Sequence, residues 1–189
     1  MNVYDFDDTI LEGDTERYFW PWVFKQYPHI QGYHSEYLFY MTLQNMGLIT
    51  RDDSRPHAYA FLRELDDIDS IVEVFWDEHE HFIKKWYLDS QREDDVIISA
   101  SPEFLLIPIC RRLGIKHLIA SHMDKKTGKL PDKFNYASQK VIRFREVFGD
   151  VEPDCFFSDS ESDRFMAEIS KKAIKVIGNE LIEWELNKK

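Results

Sequence analysis

The chain reads as an α/β protein: a doubly wound, mostly parallel sheet with an inserted α-helical cap. Three observations predict it. Short apolar runs at 96–98, 117–120, 154–157 and 173–177 have strand length and little alternation, as strands buried on both faces do. Segments with apolar residues three and four apart lie between them, which places helices between strands. Residues 14–89 break that rhythm. They hold Trp20, Trp22, Trp76 and Trp86, four of the five Trp, and no isolated β-branched run.

The elements follow in order. A first strand at 3–6 runs straight into Asp5, Asp7, Asp8 and Thr9. Pro21 kinks or starts a helix near the beginning of the aromatic region. Tyr33, Tyr37, Tyr40 and Met41 share one helical face, and residues 51–56 form a polar break. Ile68, Ile71, Val72, Phe75, His79, Phe82, Ile83, Trp86 and Tyr87 make one apolar stripe, which predicts a single helix. The strand at 96–98 ends in Ser99-Ala100-Ser101-Pro102. A helix covers 104–113 and stops at Gly114. After the strand at 117–120, Thr127-Gly128 marks a turn. A helix at 136–148 ends at Gly149, and a last helix at 162–170 sits between the final two strands. The expected division is an α/β catalytic core of 1–13 and 90–189 and a helical cap of 14–89. Strand order does not follow from this pattern.

The chain has 189 residues, enough to bury a core without disulfides. Lys plus Arg number 24 against 35 Asp plus Glu, a net charge of −11. Such a chain is a poor bulk partner for nucleic acid or an anionic membrane, though a local basic pocket is compatible with it. Cys110 and Cys155 lack CxxC partners, which argues against zinc or redox use and for reduced thiols in a cytoplasmic protein. The first residues, MNVYDFDD, carry no secretion signal, and no run of 18 apolar residues exists to span a membrane. Monomer and homodimer are equally compatible with the sequence.

In a doubly wound sheet, ligands bind beyond the carboxyl ends of the strands. Asp5, Asp7 and Thr9 follow the first strand, Ser99 ends the second, Lys140 starts a later helix, and Asp159 and Asp163 follow another strand. Carboxylates at i and i+2 of an extended segment point the same way. Beside a third carboxylate they repel unless a cation lies between them, and an all-oxygen set suits Mg²⁺. A lysine and a hydroxyl added to that set suit a phosphoryl group.

The ordered set of DxDxT, apolar strand plus Ser, Lys and DSxxD resembles the haloacid-dehalogenase-like phosphohydrolases, closest to the phosphoserine-phosphatase branch with its helical cap. The resemblance covers the whole chain. It implies Asp5 as nucleophile, Asp7 as general acid and base, Ser99 as donor to the phosphoryl oxygens and Lys140 as charge partner. It implies a Mg²⁺ site from Asp5, Asp7 (through its backbone carbonyl), Asp159 and Asp163, the last also able to orient Lys140. Thr9 would hold the motif's geometry, and Thr9, Asp14, Ser99 and Ala100 would surround the substrate. Two departures stand out. Ser99-Ala100-Ser101 replaces the Ser-Gly-Gly of phosphoserine phosphatases, and Asp14 replaces a longer cap glutamate that binds the substrate's amine. The family commonly shows a glycine and an acidic residue just before the lysine; here Lys140 lies within NYASQK.

The expected activity is Mg²⁺-dependent hydrolysis of a small phosphorylated metabolite through an aspartyl-phosphate. A phosphotransferase with the same chemistry and a silent phosphate-binding protein are the competing readings. Asp7 and Asp159 argue against a dehalogenase, which needs neither metal nor a second aspartate. Arg17, Arg51, Arg55 and Arg63 are cap cations able to reach a substrate carboxylate or second phosphate. Glu78-His79-Glu80-His81 reads as a solvated helix face, because His79 and His81 point away from each other on a helix.

Overall fold

The computed structural model describes residues 1–186. Its strands are β1 (Asn2–Tyr4), β2 (Val96–Pro102), β3 (His117–Ser121), β4 (Cys155–Ser158), β5 (Lys172–Ile177) and β6 (Glu180–Glu183). Helices α1 (Thr15–Gln26), α2 (Tyr33–Asn45), α3 (Arg51–Ala58), α4 (Ile68–His79) and α5 (Lys85–Ser90) lie between β1 and β2. Helices α6 (Glu103–Arg112), α7 (Ser138–Phe148) and α8 (Arg164–Glu168) connect later strands.

The sheet order is β3-β2-β1-β4-β5-β6, parallel throughout except for the antiparallel β5–β6 pair. The shortest parallel strand is therefore central. Val3 pairs with Val96 on one side and Phe156 on the other. The chain leaves β1 toward β2 and later crosses to β4, so β1 marks the point where a doubly wound sheet opens a crevice.

Alternation along the strands divides the core. Val3, Val96, Ile98 and Phe156 face Phe144 of α7 and Met166 of α8. Tyr4 and Ile97 face the other way, into a larger cluster with Leu105 and Ile109 of α6. That cluster continues into the insert through Phe19, Val23, Phe75, Trp76 and Tyr87. Trp76 is fully buried, and its indole N–H donates to the Leu105 carbonyl at 2.6 Å. Tyr87 of α5 packs edge-on against Tyr4, ring centroids 5.1 Å apart. The insert thus shares one apolar core with the sheet. The expected seam at 89/90 falls inside α5, and that at 13/14 falls beside Asp14, which caps α1.

Four local expectations differ from the structure. The stripe from Ile68 to Tyr87 is two helices. α4 ends at His79, a 3-10 turn follows, and Ile83 and Lys84 are extended. The break arises because Ile83 bridges Leu11 in antiparallel fashion, a tertiary pairing that overrides local periodicity. Residues 51–56 are helical, not a break. Thr50 and Asp53 form a reciprocal capping box, and a strongly polar helix with few apolar residues lacks the stripe that reveals most helices. The last helix is a 3-10 turn at Glu161–Asp163 followed by the short α8. β6 is an addition to the expected strands: it follows a two-residue Gly178-Asn179 turn, with Gly178 at φ 60°, and all four of its residues are exposed, so burial imposes no alternation. Pro21 lies inside α1 without ending it. Among the described residues, no helix is long and apolar enough to cross a membrane.

Candidate active site

Asp5 stands immediately after β1, and its N–H still belongs to the ladder, donating to the Phe157 carbonyl at 2.9 Å. The position of Asp5 is therefore fixed by sheet pairing rather than by a free loop. The chain then coils: the N–H groups of Ile10 and Leu11 both donate to the Phe6 carbonyl. Asp8 adopts φ 55°, a left-handed conformation that Asp tolerates better than most residues. This turn brings Asp5 and Asp7 to one small cavity of about 150 Å³ at the carboxyl end of the sheet. Asp14, Ala100, Lys140, Asp159 and Asp163 line the same cavity.

Lys140 is 2% exposed and donates to Asp5 Oδ1 and Asp163 Oδ2, both at 2.7 Å. Burial pulls its ammonium group down, but Asp163 and Asp5 outweigh that and hold it above its ordinary value. Asp163 Oδ2 also accepts from Ser158 Oγ at 2.9 Å. Burial pushes the Asp5 carboxyl up; Lys140 opposes that shift, while Asp163 and Asp7 add to it. Asp7 is held at both oxygens. Oδ1 accepts from the Thr15 N–H (2.7 Å) and hydroxyl (2.5 Å), and Oδ2 accepts from Ser101 Oγ (2.5 Å). Burial, helped by Asp14, raises Asp7 to about 7 against the pull of those donors. A carboxyl that changes protonation near neutrality suits acid–base work.

Two expected residues lie behind the cavity wall. Thr9 is fully buried, and its hydroxyl lies 3.4 Å from Asp5 Oδ2 and 3.3 Å from Asp159 Oδ1 while accepting the Asp159 N–H at 3.0 Å. It fixes the spacing of two carboxylates that belong to neighbouring strands. Ser99 is also fully buried, and its oxygen accepts the Ser101 N–H at 3.0 Å.

Ser101 and Glu16 escape the sequence reading, and Arg51 and Arg55 are named there only among four cap arginines. Ser101 faces Asp7, and its only signal is the SAS tripeptide. Glu16 is buried, with Oε2 2.7 Å from Arg55 Nη1 and Oε1 accepting from Tyr59 Oη at 2.6 Å. Arg51 and Arg55, two of the four cap arginines, project one turn apart from α3 into the cavity; Arg17 lines a separate hollow on the insert. The Arg51 guanidinium lies 4.2 Å over the Tyr136 ring, and that of Arg55 4.9 Å over Phe134. Recognising α3 as a helix is the missing step, since i and i+4 residues share a face.

Seven carboxylates and three cationic side chains line this cavity, a surplus of negative charge that fits a hard cation. Among the described residues, no three His, Cys, Asp or Glu side chains converge into a cage for a metal ion. Mg²⁺ does not need one, because it keeps several waters and takes one or two carboxylates plus substrate oxygens. Asp5 and Asp159, linked through Thr9, are donors of that kind.

Comparison with known proteins agrees with this architecture. The model of the haloacid dehalogenase-like hydrolase family matches residues 3–168. The protein CicA of Caulobacter vibrioides is 36% identical over 81 residues, which is 40% of this chain and 36% of that relative's length. A protein of unknown function from Bordetella pertussis Tohama I superposes with a TM-score of 0.79 at 19% identity, covering 93% of this chain and 88% of that one. A phosphoserine phosphohydrolase-like protein from Francisella tularensis subsp. tularensis SCHU S4 gives 0.60 at 16% identity, covering 92% and 85%. The fold is thus shared with that phosphoserine phosphohydrolase-like protein. With the family model matched across most of its length, the chain belongs to the haloacid dehalogenase-like hydrolases.

Proposed function

We propose that the protein is a Mg²⁺-dependent phosphomonoester hydrolase that works through an aspartyl-phosphate on a small phosphorylated metabolite. One observation carries this reading: a buried carboxylate at the end of the central strand is held by Lys140, with a neutral-range carboxyl, Asp7, on the same cavity. Asp5 attacks phosphorus in line; the bond from phosphorus to the leaving oxygen breaks as that from phosphorus to Asp5 Oδ forms. Asp7 gives its proton to the departing oxygen, then takes one from the water that hydrolyses the acyl-phosphate. Lys140 offsets charge on Asp5, and Asp163 orients Lys140. The backbone N–H groups after Asp5 hold the phosphoryl oxygens, while Ser99, behind the cavity wall, accepts the Ser101 N–H and so seats Ser101 against Asp7. Mg²⁺ held by Asp5, Asp159 and the Asp7 backbone carbonyl would supply neutralisation of the incoming anion.

The leaving group is small. The cavity of about 150 Å³ is below the roughly 300–1,000 Å³ of drug-sized sites, which suits a phosphoryl group carried by a small ester. Arg51, with Arg55 beside it, favours an acidic group on that leaving group, since guanidinium forks match carboxylate and phosphate. Two free cysteines, Cys110 and Cys155, support a reducing, cytoplasmic setting.

The experiment is phosphate release across a panel of small phosphomonoesters, with Mg²⁺ and with EDTA. Metal-dependent turnover that concentrates on acidic esters is expected. Asp5→Asn should lose turnover by at least about 10³-fold while keeping its melting temperature within a few degrees. Undiminished release by that variant, with the substitution verified by mass as free of deamidation, would overturn the role of Asp5.

A further inference from the structure

Lys84 is 7% exposed, and neither hydrolysis nor substrate recognition as described above uses it. It lies where the helical insert returns to the sheet. Its backbone N–H donates to the Ile10 carbonyl at 2.8 Å, and the Glu12 N–H donates to the Phe82 carbonyl at 2.8 Å. With the Leu11–Ile83 bridge, these bonds make a two-stranded clasp between the start and the end of the insert. The Lys84 side chain leaves the clasp and reaches two further segments. Its Nζ donates to the Asp8 carbonyl at 2.6 Å and to the Gly178 carbonyl, in the β5–β6 turn, at 2.8 Å.

Asp8 is the left-handed residue between Asp7 and Thr9, and its own N–H donates to the Gly13 carbonyl at 2.7 Å. Both backbone polar groups of that residue are thus tied, one of them by Lys84. Left-handed backbone at a non-glycine residue persists only where its surroundings over-determine it. Without the Lys84 contact the turn is free to relax, and relaxation re-aims Asp7 on one side and Thr9 on the other. Thr9 in turn spaces Asp5 from Asp159. A buried ammonium group is an expensive means of stapling a surface; here Asp8, Glu12 and Asp159 line the same hollow and offset its charge.

We propose that Lys84 is a positioning residue: from the return strand of the insert it holds the Asp8 turn in its left-handed form and so aligns Asp7 with Asp5. The kinetic part rests on the hydrolase reading above; the structural part does not. An aligned acid matters to the chemical step more than to ester binding. Misplacement of a catalytic group by about 1 Å costs on the order of 10²-fold in rate.

The test compares the 189-residue chain with Lys84→Met, which keeps the length and loses the donors, and Lys84→Arg, which keeps charge and donors. Two readouts are taken: amide hydrogen exchange over residues 8–13, and kcat and KM for p-nitrophenyl phosphate with Mg²⁺. Lys84→Met should exchange faster at Asp8 and Glu12 and lose about 10²-fold in kcat, with KM within about 3-fold. Lys84→Arg should restore at least about a tenth of wild-type kcat. Unchanged exchange in Lys84→Met overturns the proposal whatever the activity. Faster exchange with full kcat overturns it too, leaving Lys84 a structural staple. If the wild type itself hydrolyses no ester, the hydrolase reading fails separately, and exchange alone decides whether Lys84 orders the turn.

Discussion

Burial, Asp8 and Asp163 all push the Asp159 carboxyl above its ordinary value. An acid raised on folding stabilises the fold below its unfolded pKa and loses that contribution as pH rises through the folded one. At pH 8 Asp159 is therefore a cost in the metal-free protein. Asp159→Asn should melt higher than the wild type in EDTA at pH 8, by about 2–4 °C for each kcal/mol relieved. The gap should narrow at pH 4, and the variant should lose Mg²⁺-dependent turnover. A variant that melts lower at pH 8 would show that the carboxylate stabilises the fold instead. Ala137, at φ 52° before α7, is strained in a similar local sense. Relief of roughly 1–3 kcal/mol of strain exceeds the roughly 0.5–1 kcal/mol entropic cost of glycine. Ala137→Gly should gain about 1 kcal/mol in urea unfolding; a loss would show that the backbone there is unstrained. At this scale the meeting of strand-end Asp5, Asp7 and Asp159 with Lys140 of α7 at one cavity was legible, because parallel-sheet topology brings the ends of β1 and β4 and the start of α7 together. Glu16 and Ser101 were not, because nothing in a single sequence says which way a half-turn of helix or a strand terminus faces.

Among the elements, α3 depends most on its cap. It has a Pro at position 56, little apolar surface and a reciprocal Thr50–Asp53 box. Losing a side-chain N-cap costs about 1 kcal/mol. Thr50→Ala should lower stability by that amount and raise KM severalfold for acidic esters, since Arg51 and Arg55 ride on the first turns. An unchanged KM would separate the arginines from substrate binding. The TxxD signal was present in the sequence, but a charged segment without a stripe reads as a break until the box is recognised. The opposite misreading affected 68–87. There the stripe is continuous in sequence while the backbone is not, because Ile83 and Lys84 are recruited by the strand-like segment at 10–12. Pairings of such separation leave no periodic trace.

Across the whole molecule, a single apolar cluster runs from α1 and α4 through Trp76 to α6 and the sheet. Thermal unfolding should be one transition with matching calorimetric and van't Hoff enthalpies. Two resolved transitions would show that the insert and the sheet unfold separately. Trp76→Ala should cost about 3–5 kcal/mol and lower that one transition as a unit. The α/β class and the parallel alternation were legible because the buried stretches of β2 to β5 are short and mostly apolar, with helical spacing between them. The edge strand β6 was not, since all its residues face solvent and carry no burial pattern.

The shared cluster also bears on engineering. Transplanting substrate-selecting helices between relatives treats them as a cassette, with cut points chosen where two modules meet. A cut at 89/90 would sever α5 and strand Tyr87, which packs against β1. A cut after His79 would keep α5 and the 10–12 clasp with the recipient, but Trp76 would still need a carbonyl in the position of Leu105 and a matching face on α6. Chimeras should therefore carry α6 along with the insert or redesign both contact surfaces together. A library confined to Arg51, Arg55 and their neighbours on α3 reaches the candidate site's cavity without reopening that seam.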